Sequence, residues 1–100
     1  METLINRWRG GRVKIWEYTV SHRVLTLRVE REGSKGNLHI SCADLSFLCG
    51  PTGWDGANFE IEKVNADSVY EDTVILRDRA VGFEARGGKV EVAENCKPIF

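Results

Sequence analysis

The sequence LTLRVEREGSKGNLHISC, residues 25–42, decides the fold of this 100-residue chain. Apolar and polar residues alternate from Leu25 to Glu30, which places the apolar side chains on one face of a β-strand. Gly33 to Gly36 form a turn, and a second alternating run follows it. The segment is therefore predicted to be an antiparallel hairpin with one buried face and one solvated face.

The turn also predicts which residues face one another. If Gly33 to Gly36 are the whole loop, Val29 lies opposite Ile40, so the two apolar faces match. The same register places Glu30 opposite His39 on the solvated face, where the two side chains form a favourable pair.

The same two-residue period recurs between Val13 and Val92, and helical periodicity is almost absent. Only the first residues, with Thr3 as a cap, have the spacing of one helical turn. We therefore predict one all-β domain over residues 1–100, with six to eight antiparallel strands mostly in meander order. These strands form a small barrel or sandwich, with at most a short N-terminal helical turn.

Three local features add to this prediction. Gly87 and Gly88 predict a further hairpin, with Phe83 opposite Val92. Asp67 or Ser68 is expected to cap a single helical turn in the polar connection Asn65 to Asp72, which precedes this hairpin. The apolar C-terminal residues Pro98 to Phe100 are expected to dock on a groove of the same subunit or on a neighbouring one.

Composition limits the classes of function. Hydrophobic residues at 42% and charged residues at 29% are ordinary for a globular domain, and the net charge of −1 argues against a polyanionic partner. No apolar run is long enough for a signal peptide or a membrane span. Three cysteines, Cys42, Cys49 and Cys96, suit free thiols in a reducing compartment. The protein is therefore predicted to be cytoplasmic, with no membrane partner.

No motif for catalysis, metal binding or cofactor binding is specific enough to assign a chemistry. His39 and Cys42 lie three residues apart in a strand, so their side chains leave opposite faces, and no C-x-x-C pair is present. The segment GPTGWDG, residues 50–56, lacks the G-K-[ST] ending of a phosphate-binding loop and leads into a strand. We predict no catalytic residue, no metal ligand and no cofactor.

The longest irregular stretch, Asp44 to Asn58, is where a site is expected, because long loops in compact domains are disproportionately functional. Trp54 is the candidate anchoring residue, and Asp55 and Asn58 are candidate polar contacts. Cys49 completes this predicted ligand- or partner-binding set. The alternative is that the apolar side chains of the loop plug one open end of the sheet.

These patterns favour a non-catalytic module that binds a protein partner, or a second copy of itself as a homo-oligomer, through strand edges or the Trp54 loop. A small enzyme or ligand-binding protein is the first alternative, with Cys49, Asp55 and a histidine brought together by folding. Nucleic-acid binding through Arg7 to Trp16, where basic and aromatic residues interleave, is the second. The acidic remainder of the chain disfavours it.

Overall fold

The computed structural model describes residues 2–34, 36–65 and 72–95. Three of the predictions above concern residues outside these ranges. They concern the helical turn capped by Asp67 or Ser68, the thiol of Cys96, and the docking of Pro98 to Phe100.

The described residues form one short helix and nine strands, all in antiparallel pairs. In chain order they are α1 (Glu2–Arg7), β1 (Arg12–Thr19), β2 (Val24–Glu30), β3 (Asn37–Ala43), β4 (Phe47–Cys49), β5 (Gly53–Asp55), β6 (Glu60–Asn65), β7 (Asp72–Asp78), β8 (Phe83–Gly87) and β9 (Lys89–Asn95). The all-β prediction and the N-terminal helical turn are confirmed, although Thr3 lies inside α1. The strands outnumber the predicted six to eight because β4 and β5, too short to show an alternation, lie in the stretch predicted to be irregular.

The strands build two sheets that share one hydrophobic core. Sheet A has the order β5-β1-β2-β3-β9, and sheet B has the order β4-β8-β7-β6. Leu27 and Ile40 of sheet A and Leu76 and Phe83 of sheet B all belong to the same buried cluster. Within the described residues neither sheet closes on itself, so the arrangement is that of a sandwich rather than a barrel.

The β2–β3 hairpin forms as predicted, but its register is displaced by two residues. Val29 lies opposite Leu38 rather than Ile40, because the loop spans residues 31–36 instead of four residues. A shift of two keeps every side chain on its predicted face. It also changes the neighbour of His39, which lies opposite Arg28 and not opposite Glu30.

Gly87 and Gly88 mark a change of sheet, and the hairpin predicted there is wrong. β8 pairs with β7 in sheet B, whereas β9 pairs with β3 in sheet A. A hairpin would have placed Glu84 opposite Glu91, which is a repulsive pair. In the structure Glu84 lies opposite Arg77, and its carboxylate is 3.7 Å from the Arg77 Nε.

β1 starts beside β5 and loses this neighbour halfway along. β5 pairs only with residues Arg12 to Lys14. The register of β1 against β2 then shifts between Ile15 and Glu17, so Trp16 is the extra residue of a β-bulge. Because a bulge bends the strand and increases its twist, the second half of β1 becomes an edge of sheet A.

Candidate interaction surface

The second half of β1 is an open sheet edge. The last contact with the neighbouring segment is the Ile15 N–H, which donates to the Thr52 carbonyl at 2.8 Å. Beyond it, residues Glu17 to Thr19 pair with β2 on one side and, among the described residues, with no strand on the other. Unpaired backbone donors and acceptors of this kind are a template for adding another strand.

Apolar side chains follow this edge at every second position. Trp16 and Tyr18 are each 45% exposed, and Val20, the first residue after the strand, is 75% exposed. We call residues Trp16 to Val20 the β1 edge. Aromatic side chains that stay exposed beside unpaired backbone are typical of binding surfaces.

Two other outer strands, β6 and β9, are protected by charge, whereas the short outer strand β4 of sheet B exposes Phe47 and Leu48. β6 carries Glu60, Glu62 and Lys63, and β9 carries Lys89 and Glu91, all of them exposed. Charged residues on an edge strand oppose pairing with another chain. On the β1 edge the single charged residue is a glutamate at position 17.

The β1 edge directs hydrogen-bonding groups of Tyr18 toward solvent. The Ile15 N–H bonds to Thr52 and therefore points away from β2. Ile15 and Leu27 are thus a pair in which the backbone groups do not bond to each other. In an antiparallel ladder, pairs that are hydrogen-bonded to each other alternate with pairs that are not. Leu25, opposite Tyr18, is two residues from Leu27, so the Tyr18–Leu25 pair is of the same type as the Ile15–Leu27 pair. The Tyr18 N–H and carbonyl therefore also face away from β2.

Trp16 is held in place on this surface. The guanidinium carbon of Arg28 lies 4.4 Å from the centre of the Trp16 ring, a cation–π contact. Arg28 is largely buried and also pairs with Glu30 at 3.0 Å, so the platform under the indole is fixed. A side chain that is already ordered loses less entropy on binding a partner.

Trp54, the first residue predicted for a site, is packed into the molecule. Its indole N–H donates to Asp78 Oδ2 at 2.8 Å. Its ring lies 4.9 Å from that of Phe83 and 5.6 Å from that of Phe59, measured between centroids. Trp54 therefore packs inward, as the plug alternative expects, whereas Phe47 and Leu48 of the same stretch are exposed.

Asp78 also brings Asn58 to Trp54. The Asn58 backbone N–H donates to the same oxygen, Asp78 Oδ2, at 2.9 Å, and Asp78 is completely buried. The side-chain oxygen of Asn58 accepts a hydrogen bond from Arg9. Asp55 is not part of this group. Its carboxylate is exposed and lies 2.9 Å from Arg12 Nε.

Cys49 lies on β4 of sheet B, whereas Trp54 lies on β5 of sheet A. It is exposed on β4, with its Sγ 3.9 Å from the Gly82 carbonyl, beside a cavity that Arg77 and Arg79 also line. In the described part of the chain no hydrogen bond joins Cys49 to Asp55 or to a histidine. The fold therefore brings Trp54 and Asn58 together and leaves Cys49 apart.

Cys42 lies in the core, and the described residues form no metal site. Cys42 is buried in the core, and burial raises the pKa of its thiol to about 11. Such a thiol carries very little thiolate at neutral pH. Within residues 2–34, 36–65 and 72–95, no cluster of three or more His, Cys, Asp or Glu side chains has the arrangement of a metal site.

The basic residues before β1 have partners within the chain. Arg7 pairs with Glu94 at 2.9 Å, and the Trp8 indole N–H donates to the same carboxylate at 2.9 Å. Trp8 is buried in the core. These contacts attach α1 to β9. They also occupy Arg7 and Trp8, which binding to a nucleic acid would require at the surface.

Asp78 was not selected from the sequence, and Trp16 was selected only as the end of the stretch considered for nucleic-acid binding. The sequence pattern does contain evidence for the burial of Asp78. Val74, Leu76 and Asp78 occupy alternate positions of one strand, and the first two are core residues. A carboxylate in phase with a buried face is expected to be buried and hydrogen-bonded. The exposure of Trp16 had no such signal, since it depends on a bulge that the alternation does not reveal.

His39 makes the stability depend on pH. Burial, and to a smaller extent the positive charge of Arg28, lower the pKa of His39 from its ordinary value. The unfolded chain therefore binds the proton more readily than the folded chain, and stability falls as the pH decreases through about 6.5. Urea unfolding between neutral and mildly acidic pH should show this fall, and His39→Gln should reduce it.

A matched variant tests whether the effect belongs to His39. His22 is exposed in the turn between β1 and β2, so His22→Gln should leave the fall in place. An identical pH dependence in His39→Gln and the unmodified protein would show that another group is responsible.

Comparison with known proteins adds no family to this description. No protein-family model, curated protein or solved structure gives a significant match to the chain. In the part of the chain described here, no helix has both the length and the hydrophobicity to cross a membrane.

Proposed function

We propose that this protein is a non-catalytic interaction module that pairs with a second copy of itself through the β1 edge. The observation that carries the proposal is an open strand edge with Trp16, Tyr18 and Val20 exposed along it. Strand addition uses main-chain hydrogen bonds for affinity and alternate side chains for specificity.

The residue order along the edge favours a second copy as the partner. In an antiparallel pair of two β1 strands centred on Tyr18, the two Tyr18 residues exchange their outward N–H and carbonyl groups. The same register places Glu17 opposite Thr19 of the second copy, and it brings the bulge residue Trp16 to the end of the pair where Val20 of the second copy follows its own β1 strand. Apolar groups then meet apolar groups, and like charges do not face each other.

The test is the oligomeric state of a variant with a charge at the centre of this edge. Tyr18→Lys places two ammonium groups opposite each other, and we expect the dimer dissociation constant to rise by about tenfold or more. Sedimentation equilibrium over a range of concentrations measures it. Val64→Lys is the matched control, because Val64 is also an exposed apolar residue, at 39%, on the charged edge strand β6.

Two results would contradict the proposal. One is a monomer at every accessible concentration, which would direct attention to a different protein partner. The other is a dimer that Tyr18→Lys leaves unchanged, which would place the interface elsewhere.

We also propose that the protein acts in the cytoplasm. Cys49 is a free thiol on the surface, and free surface thiols persist in reducing compartments. The absence of a link between Cys49, Asp55 and the histidines in the described residues favours a binding role over the enzymatic alternative.

A further inference from the structure

A second strand edge lies beside the β1 edge, on the same side of the sandwich. β4 is an outer strand of sheet B, and among the described residues no strand pairs with its outer side. The segment that contains β4 is attached to the β1–β2 hairpin at both ends. At its start the Leu45 N–H donates to the Arg23 carbonyl at 2.9 Å, and after β4 the Thr52 carbonyl accepts from the Ile15 N–H at 2.8 Å. β4 therefore runs beside the second half of β1, and we call this side of the molecule the open flank.

The gap between the two sheets is open to solvent along this flank. Tyr18 lies opposite Leu25 and Leu48 lies opposite Ala85, and both of these partners are buried in the core. Directly opposite residues of antiparallel strands share a face, so Tyr18 and Leu48 are on the inner faces of their sheets. Inner-face side chains of a sandwich normally pack against the facing sheet. Tyr18 and Leu48 are instead 45% and 41% exposed.

β4 carries no charge that would oppose contact with another chain. Its three residues are Phe47, Leu48 and Cys49, in contrast to the charged outer strands β6 and β9. Phe47 is 43% exposed, and the guanidinium carbon of Arg86 lies 4.9 Å from the centre of its ring. Arg86 is itself paired with Glu84 at 2.6 Å, so the ring of Phe47 rests on a fixed support.

The size of a stable dimer interface requires more surface than the β1 edge provides. A protein–protein interface of standard size uses about 20–30 residues from each partner, whereas the β1 edge has five. The contact between two copies must therefore include surface beside this edge. β4 is the apolar surface next to it, and apolar residues form the centre of homodimer interfaces.

The symmetry of the β1 pair decides which part of the second copy meets β4. The two-fold axis of an antiparallel strand pair is perpendicular to the sheet. Two copies joined at Tyr18 therefore carry their B sheets on the same face of the joined A sheets. Because β4 lies on the open flank in each copy, the two β4 strands approach each other across the axis.

We propose that β4 is the second half of the dimer interface and packs against β4 of the second copy, with Leu48 at the centre of this contact. The inference rests on the proposed function, because it uses the two-fold axis of the β1 pair. The occupant is a second copy, since the axis that joins the two β1 edges brings identical apolar β4 surfaces together. The contact removes Leu48 and Tyr18 of both copies from water and closes the open flank.

Opposite charges at position 48 test this arrangement. Leu48→Lys places two ammonium groups across the axis and Leu48→Glu places two carboxylates there. Each variant alone should therefore raise the dimer dissociation constant about tenfold or more. An equimolar mixture of the two variants places lysine opposite glutamate and should recover most of this loss, as measured by sedimentation equilibrium. Val64→Lys and Val64→Glu on β6, alone and mixed, are the matched controls and should dimerise as the unmodified protein does.

Hydrogen exchange of the unmodified protein gives a second measurement without any substitution. The amides of β4 should exchange more slowly at concentrations above the dissociation constant than below it. The amides of β6, the outer strand at the other side of sheet B, should exchange equally at both concentrations. Far-UV circular dichroism checks the folding of the Leu48 variants, which is expected because this side chain is exposed.

The results separate this inference from the proposed function. A dimer that Tyr18→Lys weakens but both Leu48 variants leave unchanged would keep the β1 edge and remove β4 from the interface. The same conclusion would follow if the mixture of Leu48→Lys and Leu48→Glu dimerised no better than either variant alone. A monomer at every accessible concentration would overturn both proposals.

Discussion

Asp78→Ala is expected to lower the free energy of unfolding by about 3 kcal/mol, because it removes the buried acceptor of two partly buried hydrogen bonds. The indole N–H of Trp54 and the backbone N–H of Asn58 both donate to Asp78 Oδ2. Hydrogen bonds to a charged group contribute about 1.5–3 kcal/mol each, and donors left without a partner add a desolvation penalty. Asp78 thus attaches the segment that carries Trp54 to sheet B.

Urea unfolding, followed by far-UV circular dichroism and by tryptophan fluorescence, measures this loss. Asp55→Ala is the matched control in the same segment, because Asp55 is exposed and pairs with Arg12 at the surface. Exposed ion pairs contribute little to stability, so this control should remain close to the unmodified protein. Equal losses in the two variants would show that Asp78 is not the anchor of the segment.

Gly87→Ala is expected to lower the free energy of unfolding by about 2–3 kcal/mol, since no space exists for a methyl group at this position. A Cβ at residue 87 would lie 2.5 Å from the Ala43 carbonyl oxygen and 2.7 Å from Cys42 Sγ. One of these atoms is backbone of β3, so relief requires the two sheets to move apart where the chain passes between them.

The adjacent glycine provides the control. A Cβ at Gly88 would approach only the side chain of Asp44, with the nearest atom at 3.3 Å, and this exposed side chain can rotate away. Thermal unfolding should therefore separate Gly87→Ala from Gly88→Ala by several degrees in Tm. Two variants of equal stability would contradict the close approach of β3 to Gly87.

The fold class could be predicted from the sequence because alternation reports which face of a strand is buried. It predicted the β2–β3 hairpin and the two apolar faces that form the core. It did not predict the crossover after Gly87, because alternation says nothing about which strand is the neighbour. The repulsion between Glu84 and Glu91 in a hairpin was the available evidence against that arrangement.

The candidate site was less predictable, for a different reason. Trp54 and Asn58 lie together as expected of one segment, yet their partner Asp78 is 24 and 20 residues away in sequence. The exposure of Trp16 depends on a bulge and on a β5 that ends early. Both are consequences of tertiary pairing, which a local pattern does not contain.

The position of β9 has a consequence for the rate of folding. β3 pairs with β2 across a short loop but with β9 across some fifty residues, and β5 similarly joins β1 from a distance. Contacts between remote segments must overcome a larger loop-closure entropy, so all-β domains of this kind fold in milliseconds to seconds. During that interval the outer edge of β3 is unpaired, and the charged residues Lys89 and Glu91 of β9 protect sheet A only once β9 has docked.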